Sequence, residues 1–182
     1  MSTTPATATI DDLLGLAIRH VNAGQRDRAR LLCEQAVATH PPHPAVRQLL
    51  AVMALQDGDA TAATEFAAAS LALRPGHAPT MKVAADAWFQ RSIARHDEGD
   101  LAGEVHALRE VLRLAPERAE AEVNLGIALQ DGGAIEAAMS AYGRAFRLRE
   151  DTFGRIAHAL ATPNVGRLWL DLDTLRASLR AA

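Results

Sequence analysis

Residues 129–148 read LQDGGAIEAAMSAYGRAFRL. A glycine pair interrupts the stretch, and small residues then occupy places where a helix normally puts bulk. Ala138, Tyr142 and Ala145 recur at offsets of four and three, which places them on one helical face. A helix in an ordinary bundle would fill that face with Leu or Ile. Alanines around a single aromatic suit a face that meets a neighbour at close range, and a stack of such helices would show the same pattern elsewhere in the chain.

The glycines and prolines supply that test. Gly24, Gly58, Gly99 and Gly133 are separated by 34, 41 and 34 residues, and Pro41, Pro75 and Pro116 by 34 and 41. Two residue types keep one ruler and share the same seven-residue excess in the same place. A period of about 34 residues marks a helix-turn-helix solenoid. The spacing predicts an all-α chain with antiparallel pairs at 11–22/26–39, 44–56/60–73, 78–97/100–114 and 117–131/134–148. Each glycine falls in the tight turn within a pair, where positive φ costs it little. Each proline ends a second helix, because it has no N–H to continue the ladder.

Laid in register, the copies resemble the tetratricopeptide repeat family, with its pattern W-x2-L-G-x2-Y, then A-x3-F, then P. The best copy, 119–152, has Leu125-Gly126, Leu129, Gly133, Ala138, Tyr142 and Ala145, with Glu150 in place of the final proline. The first, 10–43, has Leu13, Leu16-Ala17, His20, Gly24, Ala29, Cys33, Ala36 and Pro41. The second, 44–77, has Leu50-Ala51, Ala54, Gly58, Ala63, Ala67, Ser70 and Pro75. The third, 78–118, has Met81, Ala84-Ala85 and Trp88 but carries seven extra residues, FQRSIAR, in its first helix. Seven residues are nearly two turns, so the helical face is almost kept and Phe89 and Ile93 continue an apolar line. The resemblance implies a right-handed α-solenoid of four repeats over 9–151 after a flexible segment at 1–8. Residues 152–182 are expected to form a C-terminal capping helix and tail, and TPNVG breaks the chain between them. Asp171 or Asp173 would cap a final helix carrying Leu172, Leu175 and Leu179. Packing on the last repeat is the favoured fate of this tail, with Trp169 as anchor beside Leu168 and Leu170; folding back onto the first-helix face of the repeats and reaching a second chain are the alternatives.

Bulk properties bound the remaining choices. The 182 residues are 49% apolar, enough for one domain with a sizeable core, but only 4% aromatic, so that core is aliphatic and alanine-rich. A net charge of −3 argues against a nucleic-acid footprint. Lys82 is the only lysine among the basic residues, which reads as the codon bias of a GC-rich, bacterial genome. The single cysteine, Cys33, falls at a packing position and excludes an intramolecular disulfide. The N-terminus lacks a signal-peptide pattern and no segment reaches the length of a membrane span, so a cytoplasmic location is expected.

Chemistry-bearing motifs are sparse. HPPHP, from His40 to Pro44, has an H-x-x-H spacing but reads as a solvated loop, and no metal or other cofactor is expected. His96, Asp97 and Glu98 read as a polar helix end, and His20 as a packed residue with a satisfied nitrogen. LGIALQDGG follows no strand, so its glycines are no phosphate loop. No catalytic constellation emerges, and the chain is expected not to be an enzyme.

The resemblance further implies a concave groove, lined by first helices, that holds a peptide or a partner's helix. Carried onto this sequence, the groove positions are Leu14, Ile18, Val21 and Asn22; Gln48, Leu49, Val52, Leu55 and Gln56; Lys82, Val83, Asp86, Phe89 and Gln90; and Val123, Asn124, Ile127 and Gln130. Leu49 and Val83 are also candidates for packing between repeats. With Leu14 and Ile18 where a clamp for a terminal carboxylate needs Lys and Asn, that clamp is not expected. A protein-interaction adaptor is the first expectation. A secretion or assembly chaperone for a hydrophobic client is the second, and a ligand- or metal-dependent enzyme using the histidines the third. A homodimer through the helix at 78–97 or through the tail stays open as a further partnership.

Overall fold

The computed structural model describes residues 8–161 and 171–182. Every regular element among them is helical. Four pairs come first: α1 Ile10–Asn22 with α2 Arg26–Thr39, α3 Pro44–Gln56 with α4 Ala60–Leu73, α5 Ala78–Asp97 with α6 Leu101–Leu114, and α7 Ala119–Asp131 with α8 Ile135–Leu148. A short 3-10 turn, Glu150–Thr152, leads into α9 Phe153–Ala161, and α10 Leu172–Ala181 closes the chain. The all-helical reading holds. Leu168, Trp169 and Leu170, expected to anchor the tail, and the TPNVG break lie outside the described residues.

Each pair folds back through a three-residue turn whose middle residue is a glycine at positive φ: Gly24, Gly58, Gly99 and Gly133, at 72°, 79°, 72° and 77°. The residue after each glycine donates back across the turn, as Gln25 N does to His20 O at 2.8 Å and Asp59 N to Ala54 O at 2.9 Å. That is the helix-ending bond pattern for which a left-handed residue is needed. Two of the second helices then start on side-chain caps: Asp59 accepts from Ala62 N and Asp100 from Gly103 N, each at 2.9 Å. Such caps satisfy N–H groups that the first turn leaves without partners.

The chain divides into two compact units, Met1–Ala87 and Trp88–Ala182, with the division inside α5. This differs from the one sizeable core that length and composition suggest. In a repeat stack, contacts stay between neighbours, so no single centre gathers them.

In the first unit, Leu13, Ala17, Ala29, Cys33, Ala36, Val46, Leu50 and Met53 form the main core. Ala54, Ala63 and Ala87 form a smaller cluster. Alanine at the crossings lets helices approach closely, and Ala17, Ala51 and Ala85 are all buried. Ser70 Oγ donates to Pro44 O at 2.9 Å, tying α4 to the start of α3. Arg30 meets Asp57 at 2.6 Å, linking α2 to the end of α3. Burial pushes the Cys33 thiol up to about 11, which keeps it protonated and makes it a packing residue.

In the second unit, Leu108, Val111, Ala121, Leu125, Ala128 and Ala141 pack between α6, α7 and α8. Tyr142 answers the question raised by its stretch. A Cβ on Gly126 would strike the Tyr142 ring, so glycine on α7 is what lets the aromatic cross it. The fully buried ring is held at its far end, where Tyr142 Oη donates to Gln130 Oε1 at 3.0 Å. Leu175 and Leu179 of α10 are buried with Tyr142, Ala145 and Phe146, so the final helix covers α8. Arg147 donates to Leu179 O at 3.3 Å, and Gly143 leaves room for the end of α10. Asp171 is the cap of α10, accepting from Asp173 N at 2.9 Å. Leu172 is half exposed and takes no part in that core.

Candidate functional site

In the first unit the expected groove residues sit on α1, α3 and the first half of α5. Leu14, Ile18 and Val21 follow the i, i+4, i+7 line of one helical face. Leu14 and Val21 lean on the core while Ile18 is 44% exposed. Asn22 is exposed. On α3, Gln48, Leu49, Val52 and Leu55 are half-buried and Gln56 is exposed. Leu49 packs against the main core and Leu55 against the alanine cluster, so both serve partly as structure. Lys82 is exposed, while Val83 and Asp86 are half-buried. His20, also on α1, is satisfied by Gln25 Oε1 at 2.7 Å.

In the second unit several groove expectations fail. Val123 is fully buried among Tyr142, Phe146 and Ile156, because α8 and α9 cover its side of α7. Gln130 is buried as well, donating to Ala159 O at 3.0 Å while accepting from Tyr142. Phe89 packs on the α6–α7 core, and the Arg118 guanidinium lies 4.1 Å from its ring centroid. It is a half-buried anchor of α5 and not an open contact. Gln90 is exposed. Asn124 and Ile127 stay half-buried, with Asn124 Oδ1 accepting from Arg155 of α9 at 2.9 Å.

Asn124 and Ile127 also border a cavity of about 210 Å³ that the sequence pattern does not foretell. Its other walls are Ser92, Ile93 and His96 of α5 and Glu104 of α6. Glu104 is only 7% exposed, and His96 Nδ1 lies 3.2 Å from its Oε2. Burial raises the Glu104 carboxyl above its ordinary value, against a smaller lowering by His96, and the charge of Asp131 adds to the rise. In sequence His96 reads as one residue of a polar helix end, and its partner eight residues on goes unnoticed. The one available signal is a Glu on the apolar face of α6, four residues before Leu108.

Among the described residues, no group of three or more His, Cys, Asp or Glu stands close enough to hold a metal ion. The HPPHP loop borders a small hollow of about 30 Å³ beside α1 and α2, and His43 Nδ1 is buried with no hydrogen-bond partner among the described residues. No helix among the described residues is long and apolar enough to cross a membrane.

Residues 14–78, the first two helix pairs, match the tetratricopeptide repeat family. That match covers the first two helix pairs and shows their likeness to tetratricopeptide repeats. Solved structures extend the likeness along the chain. MamA MSR-1 is 20% identical with a TM-score of 0.56, covering 83% of this chain and 82% of its own. MamA AMB-1 is 21% identical with a TM-score of 0.54, covering 82% and 80%. TTC0263, a thermophilic TPR protein of Thermus thermophilus, is 20% identical with a TM-score of 0.46, covering 83% and 81%. At such identities the likeness to the MamA structures shows the fold alone. No curated protein matches the sequence.

Proposed function

We propose that this tetratricopeptide-repeat chain, with repeats at 10–43, 44–77, 78–118 and 119–152, is a non-catalytic interaction adaptor. It takes a peptide or amphipathic helix on the first-helix faces. The observation that carries this reading is the aliphatic row on the adjacent helices α1 and α3. There Leu14, Ile18, Val21, Val52 and Leu55 stay half-buried or exposed instead of disappearing into the core. Contiguous apolar surface of this kind marks interaction sites. Amide side chains at Asn22, Gln48 and Gln56 border the row, which suits a backbone laid across it. An amphipathic helix offers apolar anchors at i, i+3, i+4 and i+7 to such a surface.

The test is selection of random peptides on immobilised protein. The intact chain is expected to enrich peptides with apolar residues at helical spacing. The double variant Ile18→Glu, Val52→Glu should lose them while keeping its far-UV circular dichroism. Unchanged enrichment by the double variant would move the binding surface elsewhere.

A further inference from the structure

The seven-residue excess in the third copy has no counterpart in the other three. The first helices α1, α3 and α7 each make their pair with 13 residues, whereas α5 has 20. The extra turns carry Ser92 and Ile93 and bring His96 opposite Glu104. Three of the six residues walling the 210 Å³ cavity therefore belong to the extension or follow directly from it. A single water needs only about 10–15 Å³ of such space, so the cavity has room for a long side chain.

The cavity's chemistry is asymmetric. Ile93 and Ile127 give it aliphatic walls, and Glu104 gives it a buried carboxylate. Among the described residues, the side chain hydrogen-bonded to that carboxylate is His96, itself largely exposed. Arg95, next to His96 on α5, is engaged by Glu98 at 3.0 Å and Asp100 at 3.3 Å. Arg155 holds Asn124 and does not line the cavity. A buried carboxylate is costly unless paired and hydrogen-bonded. A guanidinium supplies two parallel N–H donors to a carboxylate, and its aliphatic stem packs along apolar walls.

We infer that the cavity between α5, α6 and α7 is a specificity pocket for an arginine side chain of a peptide partner, with Glu104 as its anion and Ile93 and Ile127 flanking the stem. This deepens the adaptor reading and rests on it for the source of the arginine, but the pocket's chemistry can be tested separately. The raised proton affinity of Glu104 fits a carboxylate whose full partner arrives with the ligand.

Two experiments divide the outcomes. In the first, Nα-acetylarginine amide is titrated into the protein while the His96 ring and Asn124 side-chain signals are followed by NMR. Saturable shifts are expected, with none from the uncharged citrulline analogue. Glu104→Gln should weaken the arginine probe by about tenfold or more, the loss expected for a charge-assisted hydrogen bond. Equal shifts from both probes, or undiminished binding by Glu104→Gln, would overturn the pocket. So would tighter binding of the matching lysine amide, since arginine is the assigned occupant. In the second, random peptides are selected on wild type and on Glu104→Gln. Arginine fixed at one position by the wild type alone supports the inference. Peptides enriched with no basic preference would sink the pocket and leave the adaptor standing. If nothing is enriched on either protein, the adaptor reading fails and the peptide source of the arginine fails with it.

Discussion

Gly126 and Glu104 show two ways in which one residue sets the behaviour of this chain. At Gly126 the constraint is space. The Tyr142 ring occupies the place of a Cβ, and the ring cannot retreat because its hydroxyl is fixed to Gln130 and its faces are buried. Gly126→Ala gains helix propensity, worth about 1 kcal/mol, but forces overpacking at about 1–3 kcal/mol. The expected net result is a lower urea midpoint with unchanged slope; an equal or higher midpoint would show that α7 and α8 can separate freely. At Glu104 the constraint is charge. The folded chain holds the Glu104 proton to higher pH than the ordinary value of 4.5 that the unfolded chain returns to. Between those values the folded state binds more protons, so its stability falls as pH rises, and above the raised value the loss is complete. Glu104→Gln removes this dependence. Its melting temperature should exceed that of the wild type near neutral pH, and the gap should close below pH 4.5. A gap that widens on acidification would mean that His96 outweighs burial.

At the scale of elements, α10 carries the clearest expectation. Leu175 and Leu179 are buried against α8 although nine undescribed residues separate α10 from α9. Leu179→Ala should cost about 2–5 kcal/mol, in the range of large-to-small core changes. Deleting 171–182 should lower the melting temperature further and promote aggregation by uncovering Tyr142 and Phe146. Undiminished stability after the deletion would refute the capping role. The helices themselves are readable because their punctuation is local: a positive-φ glycine and a following proline are demanded by the backbone wherever a pair turns or ends. The length of α5 is readable for the same reason, since Gly99 arrives late. What escapes is burial imposed from a distance. Val123 loses its open face to Ile156, Gln130 to Ala159, and Phe89 to Arg118, each from 29 or more residues away in sequence. The cavity escapes because its walls come from three helices, and its central carboxylate sits on a second helix, outside the first-helix positions from which the groove is read.

For the whole molecule, the two compact units carry their cores separately. Leu13, Cys33, Leu50 and Met53 belong to the first; Leu108, Leu125, Tyr142 and Leu179 belong to the second. In a repeat protein, stability is approximately a sum of repeat and nearest-neighbour contributions, so a local wound should stay local. Native-state hydrogen exchange resolves this, because each amide reports the free energy of the opening that exposes it. In Leu179→Ala, amides of α7, α8, α9 and α10 should lose protection by an amount matching the measured destabilisation. Amides of α1 to α4 should keep their wild-type rates. Leu50→Ala, on α3, should give the mirror result, with protection lost from α1 to α4 and retained from α7 to α10. If either substitution lowered protection evenly along the chain, the protein would unfold as one cooperative body. The contact between the last helix and α8 would then be supporting the fold of residues at the far end of the sequence.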